Sequence, residues 1–308
     1  MTGLTALTQA QLDAWVRTVS IQPQSGRLPD YIPLLATVDP NWFAVQVECL
    51  NGQTYAAGEQ HCSFPLMSVI KPFVLLFLLE QLGQETVFSW VGMEPSDQPF
   101  HSLIQLASDR GFPRNPMINS GAIALAAHLP GKDSDQRCEH LRQWLNQQSG
   151  AQLILDQAML ASVRSLKNEA NRAIAHTLAQ AGYLNLIDLT LDTYNQICCL
   201  STTVADLAKL GMLLVQPQKS IAPEHQRLVN ALMLTCGLYE ASGRFAVRIG
   251  VPTKSGVGGA LLAVVPRQGA IACYSPQLDD AGNSVVGLAL LQEMAQSLNL
   301  SVFGSATA

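Results

Sequence analysis

Charged residues are few. Asp, Glu, Lys and Arg make up 13% of the 308 residues, against 48% apolar ones. That balance excludes the solvated, weakly hydrophobic chains that stay disordered and leaves a compact globular protein. The formal net charge is −5, and the 18 Lys and Arg residues form no block or stripe, so no nucleic-acid partner is expected. Long apolar runs are also missing. The longest, Phe73 to Leu79, is too short to span a bilayer, and no membrane partner is expected. Met1 to Gln22 shows no basic flank followed by a long apolar core, so no signal peptide is expected. Metal and nucleotide signatures are absent too. The seven cysteines (Cys49, Cys62, Cys138, Cys198, Cys199, Cys236 and Cys273) are odd in number and never fall at ligand spacing. They read as reduced thiols of a cytoplasmic protein. His61, His101, His128, His140, His176 and His225 are scattered. Neither a metal nor another cofactor is expected.

What is present is enough chain for one large core or two intimately packed domains. Leu7 to Val19 has the pattern of an amphipathic helix capped by Thr8. Trp42 to Leu50 and Gln53 to Ala57 read as strands joined by Asn51-Gly52, the strongest hairpin signal in the chain. The stretch from Phe64 to Leu82 reads as a buried helix, apolar on nearly every side and ended by Gly83. Helices are expected at Ser102 to Ala107, after the polar turn of Arg114 to Ile123 as far as about His128, and at Cys138 to Asn146, Leu153 to Ser162, Asn168 to Gln180 and Leu186 to Cys199. Others are expected at Val204 to Leu214, capped by Ser201 or Thr202, and at Arg227 to Thr235. Pro130 to Arg137 reads as an exposed loop. Strand character returns at Phe245 to Gly250, Gly259 to Val265 and Gly269 to Tyr274, and a helix from Ser284 to Leu298 closes the chain.

This order predicts an α+β fold. Two N-terminal strands join three C-terminal ones in a five-stranded antiparallel sheet flanked by helices, and the middle of the chain forms a helical lobe. The expected division is 1–63 with 243–308 for the sheet part and 64–242 for the helical part. The start of the Ser68 helix then lies at the junction, where a cleft belongs.

Two features there carry chemistry. Ser68 and Lys71 are three apart on one face of an apolar helix. A desolvated Lys71 drifts toward neutrality and can take the Ser68 proton. An N-cap serine and a lysine with its stem along apolar surface would give the same spacing. Lys254-Ser255-Gly256-Val257-Gly258-Gly259 opens a strand. Its glycines allow backbone to approach a ligand, so that an N–H group of this strand and that of Ser68 can bind an oxyanion; a plain glycine-rich turn is the other reading. Asn119 stands among apolar residues and needs partners, either as a structural cap or as a ligand contact. A serine-lysine pair at a helix start followed by a Lys-Ser-Gly strand resembles the serine beta-lactamase and penicillin-binding-protein site.

The segments Asp30-Tyr31-Ile32-Pro33, Ser68-Val69-Ile70-Lys71, Glu94-Pro95-Ser96, Asn115-Pro116-Met117-Ile118-Asn119-Ser120-Gly121-Ala122-Ile123, Cys236-Gly237-Leu238-Tyr239 and Lys254 to Gly259 occur in this order. With them, the chain from about Gly26 to Leu298 resembles the serine-dependent glutaminases, which share the beta-lactamase-like fold. The resemblance implies hydrolysis of L-glutamine to L-glutamate and ammonia through an acyl-enzyme. It implies Ser68 as nucleophile, Lys71 as base, Tyr31 and Tyr239 beside them, and the Val257 N–H in the oxyanion hole. It also implies Asn119, Asn171 and Tyr194 around the amino-acid head group, and a homodimer or homotetramer.

One segment departs from the family pattern, which has a Ser-Glu pair shortly before an Arg-Asn-x-Ala stretch, its glutamate helping to bind the substrate ammonium. Here Ser162 to Ala173 places Val163 at that position when matched from the left and Arg164 when matched from the right. Neither supplies a carboxylate, although Glu169 could swing in. A serine amidase or beta-lactam-reactive hydrolase with a different substrate is the alternative reading.

Overall fold

The computed structural model describes residues 3–21, 25–216, 218 and 220–304. Met1, Thr2 and Gln22, part of the segment inspected for a signal sequence, lie outside the described residues. The strands are β1 (Ala44–Cys49), β2 (Thr54–Gly58), β3 (Phe64–Pro65), β4 (Ile154–Leu155), β5 (Leu200–Thr202), β6 (Thr253–Ser255), β7 (Ala260–Val265) and β8 (Gly269–Tyr274). The helices are α1 (Gln9–Ile21), α2 (Lys71–Leu82), α3 (Gln84–Phe88), α4 (Leu103–Ser108), α5 (Asn119–Ala126), α6 (Ser134–Ser149) and α7 (Gln157–Arg164). They continue with α8 (Glu169–Gln180), α9 (Ile187–Cys198), α10 (Val204–Met212), α11 (Pro223–Cys236), α12 (Ser242–Arg248) and α13 (Val285–Leu298).

Asn51-Gly52 makes the expected hairpin: Gly52 is left-handed at φ 85° and the Cys49 N–H donates to the Gln53 carbonyl at 2.9 Å. β1 and β2 then join the C-terminal strands in one antiparallel sheet of order β2-β1-β8-β7-β6. β7 and β8 are buried along their whole length. Side chains alternate across a strand, so Leu261, Ala263, Val265, Ile271 and Cys273 enter one core while Ala260, Leu262, Val264, Ala270 and Ala272 enter the other. A strand with a core on each face reads as a continuous apolar run.

The first core is closed by α1 and α13 through Leu12, Val19, Leu290, Leu291, Met294 and Leu298. A reciprocal cap starts α1. The Gln11 N–H donates to Thr8 Oγ1 at 3.3 Å, and the Thr8 N–H donates to Gln11 Oε1 at 3.0 Å. The second core runs from the other face of the sheet through α10 into the helical region, where α2 lies buried on all sides. Gly211 lets α10 press onto the sheet, since a Cβ there would lie 2.6 Å from Ala270 Cβ and 2.8 Å from Leu262 Cδ1.

The structure corrects several expectations. Phe245 to Gly250 is not a strand: α12 occupies it, and the third C-terminal strand is β6. Phe245, Val247 and Ile249 alternate in sequence, but Phe245 and Ile249 pack inward at helical i, i+4 spacing while Val247 is 88% exposed. Ser134 to Arg137 belongs to α6 rather than to a loop, because Asp133 accepts from the Gln136 N–H at 2.8 Å and caps the helix earlier. The helix expected over Leu153 to Ser162 divides into β4 and α7 at the Asp156 cap. The α10 cap is Thr203; Ser201 and Thr202 lie in β5. That strand builds a second sheet, β3-β5-β4, and Phe64–Pro65, expected as the start of the buried helix, is its strand β3, so that α2 begins only at Lys71. Among the described residues, no helix is long and apolar enough to cross a membrane.

The close seat of α10 yields a direct test. Gly211→Val is expected to cost about 1–3 kcal/mol from overpacking against β7 and β8, measured by chemical denaturation. An unchanged denaturation midpoint would show that this contact does not limit the fold.

Candidate active site

The site begins with a tight turn. β3 leads into a 3-10 helix, Met67–Ile70, and Lys71 then opens α2 with Pro72 behind it. Met67 sits in the left-handed region at φ 44°, which costs free energy for a side chain of this size. The turn is pinned by the Leu66 N–H donating to the Leu200 carbonyl at 2.8 Å. It leaves Ser68 buried at the edge of a cavity, one turn from Lys71.

Lys71 is 1% exposed, yet no carboxylate meets it among the described residues. Its Nζ donates to Asn119 Oδ1 at 2.9 Å and to the Met117 carbonyl at 3.2 Å. Burial therefore dominates and lowers its pKa to about 8, with a small opposing effect from the Cys198 thiol. Asn119 is the centre of this network. Its Oδ1 also accepts from the Tyr194 hydroxyl at 3.2 Å, and its Nδ2 donates to Asn171 Oδ1 at 2.9 Å.

The loop that delivers these groups has its own lock. Asn115 is fully buried, accepts from the Met117 N–H at 3.0 Å and donates to the Glu94 carbonyl at 2.8 Å. Gly121 allows α5 to lie against it, because a Cβ there would stand 2.0 Å from the Asn115 carbonyl oxygen.

The opposite wall comes from Tyr239 and β6. Tyr239 is also left-handed, at φ 56°. Its hydroxyl donates to the Ser255 carbonyl at 3.3 Å. Burial raises the phenol to about 12, while hydrogen bonding with Ser68 and Ser255 opposes the rise, so the phenol holds its proton at neutral pH. Lys254 is 0% exposed, with its Nζ 4.3 Å from the Tyr239 ring centroid and donating to the Gly237 carbonyl at 3.0 Å. Burial pushes its pKa well below the ordinary lysine range, and repulsion from Lys71 adds to the shift. The turn after β6 presses on the nucleophile segment: a Cβ at Gly256 would lie 2.8 Å from the Leu66 carbonyl oxygen and 3.3 Å from Ser68 N.

These walls enclose a cavity of about 510 Å³. Of the residues expected from sequence, Tyr31, Ser68, Asn119, Asn171, Tyr194 and Val257 line it. Lys71 and Tyr239 stand just behind the wall and reach it through Asn119 and Ser68. Tyr31 is 52% exposed at the rim. Among the described residues, no Asp or Glu lines the cavity, but Lys167 does. Val163 is part of the lining, whereas Arg164 turns outward to Asp192 with two contacts of 2.8 Å. Glu169 is exposed in the first turn of α8 and does not line the cavity.

Residues 26–303 match the family profile described as Glutaminase. The chain belongs to the glutaminase family. A glutaminase of Synechocystis sp. is 47% identical over 293 residues, covering 94% of this chain and 90% of the relative. One from Methylobacterium radiotolerans is 40% identical over 293 residues, covering 91% of this chain and 93% of the relative. A solved structure of the probable glutaminase ybaS superposes with a TM-score of 0.89 at 34% identity, covering 96% of this chain and 99% of that one. A probable glutaminase from Bacillus subtilis complexed with 6-diazo-5-oxo-L-norleucine gives a TM-score of 0.87 at 31% identity, covering 97% of each chain. These glutaminase neighbours have the beta-lactamase-like fold expected from the sequence, and the alternative of an amidase or beta-lactam hydrolase is not favoured.

Some residues of this glutaminase site escaped the sequence reading. Cys198 lines the cavity, although its sequence context marked it as an ordinary buried thiol. Lys254 was visible in a glycine-rich motif but had no assigned task. Leu166, Lys167 and Asn168 form a cavity wall in the segment that departs from the family pattern, and Asn168 is left-handed at φ 36° while capping α8.

Gly121→Ala is expected to push Asn115 away, withdraw the Met117 carbonyl from Lys71 and cost about 1–3 kcal/mol of stability. Thermal melting and glutamine turnover measured together should both fall. Wild-type values for both would sink this account of the glycine.

Proposed function

We propose that this glutaminase hydrolyses the side-chain amide of L-glutamine with Ser68 as nucleophile and Lys71 as its base. The observation that carries the reading is Lys71 itself, a buried amine held by neutral acceptors one turn from a serine at the cavity wall. With its pKa lowered to about 8, a useful fraction is neutral near physiological pH. Neutral Lys71 takes the Ser68 hydroxyl proton as Oγ attacks the amide carbon. The tetrahedral oxygen accepts from the N–H groups of Ser68 and Val257. The C–N bond then breaks, and Tyr239, which keeps its phenolic proton, relays a proton to the departing nitrogen, so ammonia leaves and a glutamyl ester remains on Ser68. Water, deprotonated by the same route, attacks the ester and releases glutamate.

Asn119, Asn171 and Tyr194 hold the amino-acid head group, and Tyr31 covers the mouth of the cleft. A homodimer or homotetramer in the cytoplasm is the assembly that the family resemblance implies, and the lack of a basic block at a net charge of −5 favours no nucleic-acid partner. The sheet part, 1–63 with 243–308, and the helical part, 64–242, meet at this cleft. The scheme requires no cofactor.

Ser68→Ala is expected to reduce ammonia release from glutamine by at least about 10³-fold. Reaction with 6-diazo-5-oxo-L-norleucine should label the wild-type protein at Ser68, read by peptide mass spectrometry. The label on another residue would overturn the assignment. The pH profile adds a second check. Below about 8, Lys71 carries its proton and cannot act as a base, so kcat/KM should fall as pH drops through that value and level off above it. A profile flat from pH 6 to pH 10 would remove Lys71 from the role.

The absence of a lining carboxylate makes a separate prediction. The substrate ammonium meets amide and hydroxyl oxygens rather than a counter-charge, so a high KM for glutamine is expected. Val163→Glu, placing a carboxylate on the wall, should lower KM by about tenfold, in line with a charged hydrogen bond. An unchanged or raised KM would show that the ammonium is bound elsewhere.

A further inference from the structure

The sign of the electric field in the catalytic cleft is set by the wall between α7 and α8. Lys167 lines the cavity there, and among the described residues it has no ion pair. Its cationic neighbours in sequence are neutralised: Arg164 pairs with Asp192 at 2.8 Å and Arg172 with Asp188 at 3.1 Å. α8 begins just after Lys167, and Asn168, Ala170 and Asn171 all line the cavity. The positive end of this 12-residue helix therefore adds to the lysine charge. Lys71, behind the wall, adds to it whenever it is protonated. Asp30 and Glu169 do not compensate, because both are exposed to screening water and neither lines the cavity.

Free glutamine brings one carboxylate and one ammonium to this wall. The carboxylate is attracted. The ammonium is repelled, and it exchanges water for neutral oxygens alone. An acyl group on the α-nitrogen removes that mismatch. The nitrogen becomes a neutral amide whose N–H still donates to an amide or hydroxyl oxygen of the cleft. The molecule then carries one net negative charge opposite an unpaired cation.

The cavity also has room for the added group. Its volume is about 510 Å³, within the range of about 300–1,000 Å³ that takes ligands larger than an amino acid. Val163 and Leu166 stand on the same wall as Lys167, and Ile32 adds a third aliphatic side chain to the lining. Glutamine is polar at both ends and leaves such surface uncovered, whereas an acyl group buries part of it.

We propose that the cleft takes α-N-acylated glutamine with a free α-carboxylate in preference to glutamine itself, Lys167 receiving the carboxylate and the aliphatic wall the acyl group. The inference rests on Ser68 as the nucleophile, and the bond chemistry is unchanged. Ser68 Oγ bonds the side-chain carbonyl carbon, the C–N bond of the γ-amide breaks, and the nitrogen leaves as ammonia with the proton relayed by Tyr239. Water adds its hydroxyl to the same carbon and returns a proton to Ser68. The products are N-acylglutamate and ammonia, with the acyl group untouched.

The test measures ammonia release by the full chain from N-acetyl-L-glutamine, L-glutamine and glutaramate, which has hydrogen in place of the α-amino group. N-acetyl-L-glutamine should exceed glutamine in kcat/KM by at least about tenfold, carried mainly by KM. Glutaramate should fall between them. A value for glutaramate at or above that of the acetyl compound would show that the acyl group meets no wall. Lys167→Met should raise KM for N-acetyl-L-glutamine about tenfold and change kcat by less than about twofold, whereas Lys167→Arg should keep KM within about threefold. Val163→Glu should reverse the preference, lowering KM for glutamine and raising it for the acetyl compound. Ser68→Ala separates this inference from the reading it rests on. Turnover of both substrates surviving in that variant would overturn the nucleophile. Turnover lost in it, with glutamine equal to or ahead of N-acetyl-L-glutamine in the wild type, would overturn the acyl preference alone. A variant that fails to fold, read from its melting temperature, leaves the wild-type ranking of the three substrates to decide.

Discussion

The structure depends on how a lysine amine is kept inside a protein without a negative charge beside it. Lys71 is solvated by one side-chain amide oxygen and one backbone carbonyl, Asn119 Oδ1 and Met117 O. Both must be held, since a buried amine with misplaced acceptors would draw water or lose its position. Asn115 locks the loop that presents Met117, and Gly121 lets that loop lie against α5. Asn119 is oriented by Tyr194 and Asn171 on two further helices. A carboxylate partner would have been simpler to place, but it would have raised the pKa of Lys71 and removed its use as a base. Neutral acceptors satisfy the amine without charging it.

That arrangement needs rigid walls, and the sheet supplies one of them. With a core on each face, β7 and β8 are held by packing from α1 and α13 on one side and α10 on the other. β6, at the edge of the sheet, carries Lys254 and the glycine turn to the Ser68 backbone. Lys254 meets the Tyr239 ring and backbone carbonyls, again without a carboxylate. Two buried amines therefore stand behind the cleft wall, and the charge of Lys71 disfavours that of Lys254.

Sequence legibility followed physical strength of signal. The Asn51-Gly52 hairpin, the all-round apolar α2 and the doubly buried β7 and β8 were readable because each has a distinct period or turn requirement. α12 was misread because Phe245, Val247 and Ile249 alternate like a strand, and only tertiary packing separates the two readings. β3, β4 and β5 are too short to leave a periodic pattern. In the site, Ser68, Asn119 and Lys71 were conspicuous as polar groups in apolar surroundings, and resemblance supplied Tyr31, Asn171, Tyr194, Tyr239 and Val257. The missing carboxylate near Val163 was also visible in sequence, and the cavity lining contains none. Cys198 and Lys167 were not legible as cleft residues, because nothing local distinguishes a thiol or lysine facing a cavity from one facing a core or solvent.

Met67 and Tyr239 flank the serine turn from two sides, and both occupy left-handed backbone that a side chain of their size avoids. Each such residue costs about 1–3 kcal/mol, a sizeable share of the roughly 5–15 kcal/mol by which a domain is folded. Glycine at either position would relax the chain while removing the side chain that shapes the cleft. Heat resistance and turnover thus pull these two positions in opposite directions. A variant chosen for heat resistance alone would be expected to lose both side chains early, at the expense of the cleft they shape.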